Sequence, residues 1–287
     1  MSNAALEQLV DEVRDLPLTV SDVLAQVITE CDNADASVSS LARIMAGDQA
    51  LAAMVLKLAN SAYYGYARRI ESLPDAVVLL GFASVKNLAI TASITRLLAT
   101  DQDDLTEIRS GIFDHSLCTA VCARILGRTR RVSGEKAFVA GLLHDLGLIV
   151  LVCYAKDRFR QLYATAAERN VPFEDVELEL LGFTTAALGS AVAAEWQFPP
   201  ALCDALAHQH DPSEAETDPL LARTVHLADW LAKRLAIGFV GPAVRDEPDS
   251  VAATEFSIST ASLARFESEA AAEFEEGQSL RALGKAA

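Results

Sequence analysis

The residues of this chain best suited to chemistry are a histidine and an aspartate that stand side by side. His144 and Asp145 lie in the segment Gly141-Leu142-Leu143-His144-Asp145-Leu146-Gly147. Adjacent imidazole and carboxylate groups can bind one divalent metal ion when neighbouring segments supply further ligands. His115 upstream and Asp229 downstream are residues of the required types. The four side chains are therefore a candidate metal site.

The same four side chains also have an interpretation without metal. Buried polar groups need hydrogen-bond partners, and a histidine and an aspartate can satisfy one another in a core. Three further histidines are candidates for additional metal ligands, each with a capping or core role as the alternative: His208, His210 and His226. On a continuing helix, His208 and His210 point about 200° apart and cannot share an ion. His226 and Asp229, three residues apart, share one helix face.

Helices are the elements expected to position these residues. Hydrophobic residues make up 51% of the 287 residues, and there are only 14 glycines and 9 prolines. The sequence contains no Asn-Gly or Asp-Gly pair of the kind that marks a β-hairpin. The composition therefore predicts an all-α protein.

Hydrophobic periodicity places the candidate ligands on three predicted helices. Residues 106–126 carry His115, residues 133–153 carry the His-Asp pair, and residues 219–237 carry His226 and Asp229. Residues 238–255 are predicted to be loop, and residues 260–276 an acidic amphipathic helix. The chain is accordingly divided into a helical subdomain at 1–105, a second helical subdomain at 106–240, and a loop with an acidic helix at 241–287. We expect the last segment to be separable from the core.

Charge and cysteine content restrict the classes of partner. The net charge of −16 disfavours binding to a nucleic-acid backbone. The five cysteines are odd in number and form no Cys-x-x-Cys motif, which indicates reduced thiols and a cytoplasmic protein. The N-terminus does not resemble a signal peptide. We also expect no apolar run of the roughly 20 residues needed to cross a membrane.

Several motifs resemble a known family. They are Leu16-Pro17, Ala46-Gly47-Asp48, Leu56-Lys57-Leu58-Ala59-Asn60-Ser61, Tyr64-Gly65, Leu80-Gly81 and Ala140-Gly141-Leu142-Leu143-His144-Asp145-Leu146-Gly147. Over about residues 14–240 the chain resembles the HDOD family, the HD-related output domains. The order His, His-Asp, Asp is the ligand order of the HD superfamily of metal-dependent phosphohydrolases. Gln49 stands where this family often has proline, and Gln209 breaks a frequent His-His pair.

This resemblance implies a helical N-terminal subdomain packed on an HD-like helical subdomain. It also implies His115, His144, Asp145 and Asp229 as ligands of a divalent metal, with Fe, Mn, Zn, Mg and Ni as the candidates. Leu148 stands where the related HD-GYP phosphodiesterases carry a lysine, and no Gly-Tyr-Pro motif follows His210. Hydrolysis of cyclic-di-GMP is therefore poorly supported, and no catalytic residue is assigned.

The favoured function is a bacterial signal-transduction module that acts through protein contacts or ligand sensing and is not an enzyme. The expected partners are signalling proteins or a second copy of the chain, with no nucleic acid and no membrane. The alternative is a metal-dependent phosphohydrolase acting on a nucleotide or another phosphoester.

Overall fold

Helices account for all regular secondary structure in the residues that the computed structural model describes, which are 4–15, 22–31, 33, 35–60, 69–98 and 103–284. No strand occurs among them. The prediction of an all-α protein is confirmed. The motifs at Leu16-Pro17, Ser61 and Tyr64-Gly65 lie outside the described residues.

The described helices differ widely in length. In chain order they are α1 (Ala4–Asp15), α2 (Asp22–Cys31), α3 (Val38–Met45), α4 (Gln49–Ala59), α5 (Leu73–Leu80), α6 (Phe82–Leu98), α7 (Thr106–Arg128), α8 (Gly134–Leu143), α9 (Leu146–Tyr154), α10 (Lys156–Arg169), a 3₁₀ turn (Phe173–Asp175), α11 (Glu177–Leu180), α12 (Thr185–Glu195), α13 (Pro200–Ala207), α14 (Pro219–Arg234), α15 (Ser250–Glu255) and α16 (Thr260–Gly284).

The chain divides into two compact units. One comprises Met1–Pro17 and Asp101–Ala271, and the other comprises Leu18–Thr100 and Ala272–Ala287. This division differs from the predicted segments because α1 joins the unit formed by the second half of the chain. Leu9 of α1 is only 2% exposed, and α1 packs against α12. Burial of this apolar face accounts for the grouping.

The smaller unit is built around α6. This helix is buried on nearly all sides from Val85 onward, and α2, α4 and α5 pack against it. Side-chain caps define the surrounding helices: Ser37, Asp48 and Ser72 accept hydrogen bonds at the N-termini of α3, α4 and α5. Such caps satisfy amide groups that have no partner within the helix.

The larger unit is built around α7, which packs mainly against α8 and α14. Every residue of α7 from Ile112 to Ala123 is buried, so the polar members of this stretch, including His115, need partners inside the protein. Also in the larger unit, α9 is apolar along most of its length and packs against α12.

The predicted helix over 133–153 is wrong in one respect, because it is two helices that meet at His144 and Asp145. The close approach of α9 to α12 accompanies this break. A Cβ atom on Gly147 would lie 1.9 Å from the carbonyl oxygen of Thr185. Only glycine permits two backbones to come this near. The His-Asp pair therefore lies at a junction instead of on the face of a continuous helix.

One described segment, Gly134–Tyr154, has the length and composition of a membrane-spanning helix, with a mean hydropathy of 2.0. The expectation that no apolar run is this long is therefore wrong. However, 89% of its most apolar stretch is buried inside the protein, and the segment is divided between α8 and α9. The packing of the core accounts for its hydropathy.

Candidate metal centre

Three parts of the larger unit bring the four predicted ligands together. His115 lies in α7, His144 and Asp145 join α8 to α9, and Asp229 lies in α14. Nε2 of His115 is 3.0 Å from Oδ1 of Asp229. Nε2 of His144 is 3.5 Å from the same oxygen and 3.3 Å from Oδ2 of Asp145. Residues far apart in the sequence thus converge on one point.

The orientation of His144 suits metal binding. Its Nδ1–H donates a hydrogen bond to the carbonyl oxygen of Gly141 at 2.8 Å, which leaves Nε2 facing the two carboxylates. The residue is 1% exposed, and Nε2 is a buried atom with no well-formed hydrogen bond among the described residues. Metal-binding histidines commonly have this arrangement, with one ring nitrogen held by a carbonyl and the other free to coordinate.

The separations of the donor atoms come close to those expected around a single ion. One ligand atom from each of His115, His144 and Asp145 can be chosen so that all three lie within 4.8 Å of one another. Donors that are about 2.0–2.2 Å from one ion can be at most about 4.4 Å apart. Asp229 adds a carboxylate that contacts both imidazoles. A small tightening of the cluster would allow these residues to hold a divalent ion.

The charges of the cluster favour a cation at its centre. Burial would by itself lower the pKa of His144, but the negative charges of Asp145 and Asp229 raise this pKa to about 10. Burial likewise opposes ionisation of Asp229, yet Lys233 and the two histidines hold its pKa well below the usual value. A proton on His144 thus balances the carboxylates, and a metal ion would take the place of that proton.

A cavity of about 30 Å³ adjoins the cluster. Its lining consists of His115, Asp145, Leu148, Phe173, Glu174, Glu177, Thr185, His210, Lys233, Phe239, Val240 and Gly241. This volume is enough for one or two water molecules. The site is therefore a small, partly open space with titratable groups in its lining.

Aromatic side chains close one side of the cavity. The ring of Phe239 lies 6.1 Å from that of Phe173, in a stacked arrangement, and 5.9 Å from that of Tyr163. Phe159, which is fully buried, lies 6.3 Å from Phe239. Ring separations of this size are typical of packed aromatic clusters.

The backbone of residues 238–241, here called the covering segment, lies directly on α7. Phe239 N–H donates to the carbonyl oxygen of Gly111 at 2.9 Å. Gly238 has a φ of +78°, and a Cβ atom there would lie 2.4 Å from the amide nitrogen of His115. A side chain at Gly238 would therefore push the covering segment away from the candidate ligand.

A buried glutamate forms another part of the cavity wall. Glu177 is 1% exposed and accepts hydrogen bonds from the hydroxyl of Thr185 at 2.6 Å and from its backbone N–H at 3.0 Å. Burial, together with the charges of Glu174 and Asp145, raises the pKa of Glu177 to about 7 despite these hydrogen bonds. This carboxyl group is therefore poised to exchange a proton near neutral pH.

The three additional histidines have different surroundings. His210 lines the cavity, with Nδ1 3.2 Å from Oε1 of Glu174. His226 uses both ring nitrogens elsewhere: Nδ1–H donates to the carbonyl oxygen of Gln209, and Nε2 accepts from the N–H of Asp249, both at 2.8 Å. His208 does not line the cavity, and its Nε2 is 3.6 Å from Asp204 on α13. His210 alone of the three is placed to extend the cluster.

A family model for the HDOD domain matches residues 16–212. The chain belongs to the HDOD family. The matched region contains His115, His144 and Asp145, whereas Asp229 lies beyond its end. Asp229 nevertheless contacts two residues of the matched region, His115 and His144.

Solved structures support the same fold for this HDOD chain. A protein of Shewanella amazonensis SB2B named "Putative phosphohydrolase" has 25% identity and a TM-score of 0.75, with 98% of each chain covered. An HDOD domain protein of unknown function from Geobacter sulfurreducens has 26% identity and a TM-score of 0.75, with 97% of this chain and 96% of that chain covered.

An uncharacterized protein of Treponema pallidum (strain Nichols) is 25% identical over 229 residues. The match covers 79% of this chain and 44% of the relative. The HDOD chain therefore spans less than half the length of that curated relative.

Sequence reasoning missed several groups at the centre, above all Lys233, Glu177 and Glu174. Nζ of Lys233 is 2.8 Å from Oδ2 of Asp229. A signal for Lys233 was present, because it follows Asp229 by four residues on the same helix and so shares its face. No comparable signal marks Glu177, since α11 is only four residues long and its burial depends on α12.

Proposed function

We propose that this HDOD chain is a regulatory module of bacterial signal transduction that is not an enzyme and acts through protein contacts or ligand sensing. In this role the His-Asp centre holds a divalent ion that joins α7, the α8–α9 junction and α14. Family membership and the convergence of the four ligands support the proposal. The ion would stabilise one arrangement of these three parts of the protein.

The small volume of the cavity is the observation that favours regulation over catalysis. Pockets for small organic ligands usually have volumes of about 300–1,000 Å³. The space beside the candidate ligands is about 30 Å³, and Phe173 and Phe239 stack against its side. A nucleotide does not fit within a space of this volume. A bound ion with one water molecule needs no larger volume.

The donor set is compatible with several metals. Two imidazoles and two carboxylates suit Fe, Mn, Zn and Ni, while Mg prefers oxygen ligands. When bound, such an ion can act as a Lewis acid and can lower the pKa of a coordinated water. The residues of this chain would hold the ion: His144 is oriented by Gly141, and Asp229 is fixed between the histidines and Lys233.

A metal-dependent phosphohydrolase acting on a nucleotide or another phosphoester is the second candidate. The complete set of His115, His144, Asp145 and Asp229 favours it, because a purely structural module needs no full ligand set. The similar Shewanella protein named "Putative phosphohydrolase" also supports this second candidate. This activity would require the covering segment to open. Leu148 on the cavity wall supplies no charge for a phosphate.

The proposed partners are other signalling proteins or a second copy of the chain, in the bacterial cytoplasm. The net charge of −16 argues against nucleic acid, since a phosphate backbone repels an acidic surface. Proteins with a basic surface are therefore the expected partners.

Metal content and hydrolysis distinguish the two functions. Protein purified without chelator should contain about one equivalent of a divalent metal by elemental analysis, and should not hydrolyse cyclic-di-GMP or bis-p-nitrophenyl phosphate. His144→Gln should lose the metal. His208→Gln is the matched control and should retain it, because His208 does not line the cavity.

Two results would overturn parts of this proposal. Hydrolysis that depends on metal and disappears in Asp145→Asn would replace the regulatory function with the phosphohydrolase. Absence of metal, together with no thermal shift on addition of Mn²⁺, Zn²⁺ or Ni²⁺, would rule out the metal centre and leave a hydrogen-bonded cluster.

A further inference from the structure

The two oxygens of Asp229 have different neighbours. Oδ1 contacts the histidines, at 3.0 Å from Nε2 of His115 and 3.5 Å from Nε2 of His144. Oδ2 is 2.8 Å from Nζ of Lys233, one helical turn further along α14. One carboxylate therefore faces both the candidate metal position and a lysine ammonium group.

Lys233 also faces an acidic cavity. Asp145, Glu174 and Glu177 line the same cavity, together with His115 and His210, and the lining contains no other lysine and no arginine among the described residues. The ammonium group of Lys233 contacts Asp229 directly, and Glu174 and Asp145 add two further carboxylates to the same lining.

Without Lys233, the cavity has the composition of a second cation site. Glu174, Asp145 and His210 are carboxylate and imidazole donors in the cavity lining, and Oδ2 of Asp229 would have no cation beside it. His210 and Glu174 are already in contact, at 3.2 Å. Such a concentration of oxygen and nitrogen donors attracts divalent ions.

We propose that Lys233 serves as a built-in second cation of the centre and so limits it to a single divalent ion. Its ammonium group neutralises Oδ2 of Asp229 and repels another ion from the small cavity. Repulsion between like charges is strong here because the surroundings are largely shielded from water. This inference rests on the proposed metal centre, and it assigns to Lys233 control over how many ions that centre holds.

The test compares Mn²⁺ binding in the full chain and in five variants. Equilibrium dialysis against Mn²⁺ with elemental analysis gives the number of ions per chain, and electron paramagnetic resonance distinguishes isolated from coupled Mn²⁺. We expect about one ion in the unmodified protein and about two, magnetically coupled, in Lys233→Met and Lys233→Gln. Two neutral variants are used so that poor folding of one, detected by its melting curve, does not decide the result.

The controls separate charge from other effects. Lys233→Arg keeps the positive charge and should retain about one ion. Lys136→Met removes a lysine that pairs with Asp218 at 2.5 Å and is 43% exposed, outside the cavity lining, and should also retain about one ion. Adding Glu174→Gln to Lys233→Met should abolish the second ion, because it removes one of the proposed donors.

Each outcome bears on the inference in a definite way. One ion with unchanged affinity in both neutral variants, or two ions in the unmodified protein, would overturn the role of Lys233 while the metal centre stands. No ion in any of the proteins would overturn both. No ion in the unmodified protein but one in the neutral variants would overturn the native metal centre and support Lys233 as the cation that replaces it.

Discussion

Glu177 is a buried carboxyl group in the cavity lining whose protonation makes the stability of the protein depend on pH. Its folded-state pKa is raised to about 7 from 4.5, mainly by burial. Between these values the folded state binds more protons than the unfolded state, so this group's contribution to stability falls as pH rises. The loss is complete above pH 7. A shift of this size corresponds to about 3 kcal/mol.

Glu177→Gln should therefore flatten the dependence of unfolding free energy on pH. We expect the unmodified protein to lose up to about 3 kcal/mol relative to this variant between pH 4.5 and 7. The amide can still accept the backbone hydrogen bond from Thr185 while its NH₂ faces the hydroxyl. Urea unfolding at a series of pH values measures the difference.

Glu179→Gln is the matched control on the same helix. Glu179 is exposed and pairs with Arg169 at 2.7 Å, and this pairing lowers its pKa. The contribution of Glu179 to stability is present above its unfolded pKa and is lost as pH falls. This pH dependence is opposite in sign to that of Glu177. Parallel pH profiles for the unmodified protein and Glu177→Gln would refute the buried, proton-binding role of Glu177.

At the residue scale, the sequence predicted the convergence of groups with distinctive metal-ligand chemistry and missed ordinary charged residues. His115 and His144 stand out because histidine is rare in this chain, with 5 among 287 residues. Lys233 and Glu177 do not stand out, since lysine and glutamate usually lie on exposed surfaces. Their burial follows from tertiary packing, which a sequence pattern does not contain.

Asn60 connects two backbone segments at the end of α4. Its Oδ1 accepts from the N–H of Ile70 at 2.8 Å, and its Nδ2 donates to the carbonyl oxygens of Ile70 at 2.8 Å and Leu56 at 2.7 Å. The residue itself is exposed, while Ile70 is 2% exposed. These bonds hold the chain on both sides of residues 61–68, which lie outside the described residues.

Asn60→Ala should lower the free energy of unfolding by about 1–3 kcal/mol, because it leaves the backbone groups of Ile70 without partners. Asn60→Asp is the matched comparison: it keeps the acceptor for the Ile70 N–H but loses the donor. We expect its melting temperature to be intermediate. An unchanged melting temperature in the alanine variant would show that water replaces these hydrogen bonds at no cost.

At the element scale, apolar periodicity indicated helices but not where one helix gives way to the next. The apolar run through Leu142, Leu146 and Ile149 continues across the His-Asp pair, so a single helix was predicted there. The observed junction coincides with the contact between Gly147 and Thr185. Because this contact joins residues 38 positions apart, the local sequence does not predict it.

The segment after α14 is tied to the larger unit more firmly than its composition suggests. Nε1–H of Trp230 donates to the carbonyl oxygen of Asp246 at 3.1 Å, and His226 accepts from the N–H of Asp249 at 2.8 Å. Phe266 of α16 is 2% exposed. These contacts argue against the expectation that residues 241–287 are separable from the core, because the few large apolar side chains of this segment bury substantial area.

Two truncated proteins test which part of this segment the centre requires. With Trp196→Phe as background, Trp230 is the remaining tryptophan of the two in the chain, so fluorescence reports on its surroundings. A chain ending at Gly238 loses the bond to Asp246 and most of the covering segment. We expect its emission to shift to longer wavelength, its quenching by acrylamide to increase, and its melting temperature to fall.

A chain ending at Ser259 keeps Asp246 and Asp249 and should retain the native emission, although loss of the buried Phe266 should still lower its stability. Native emission and a cooperative transition in the shorter chain would show that the segment is separable after all, and that the candidate centre is held together by α7, α8, α9 and α14 alone.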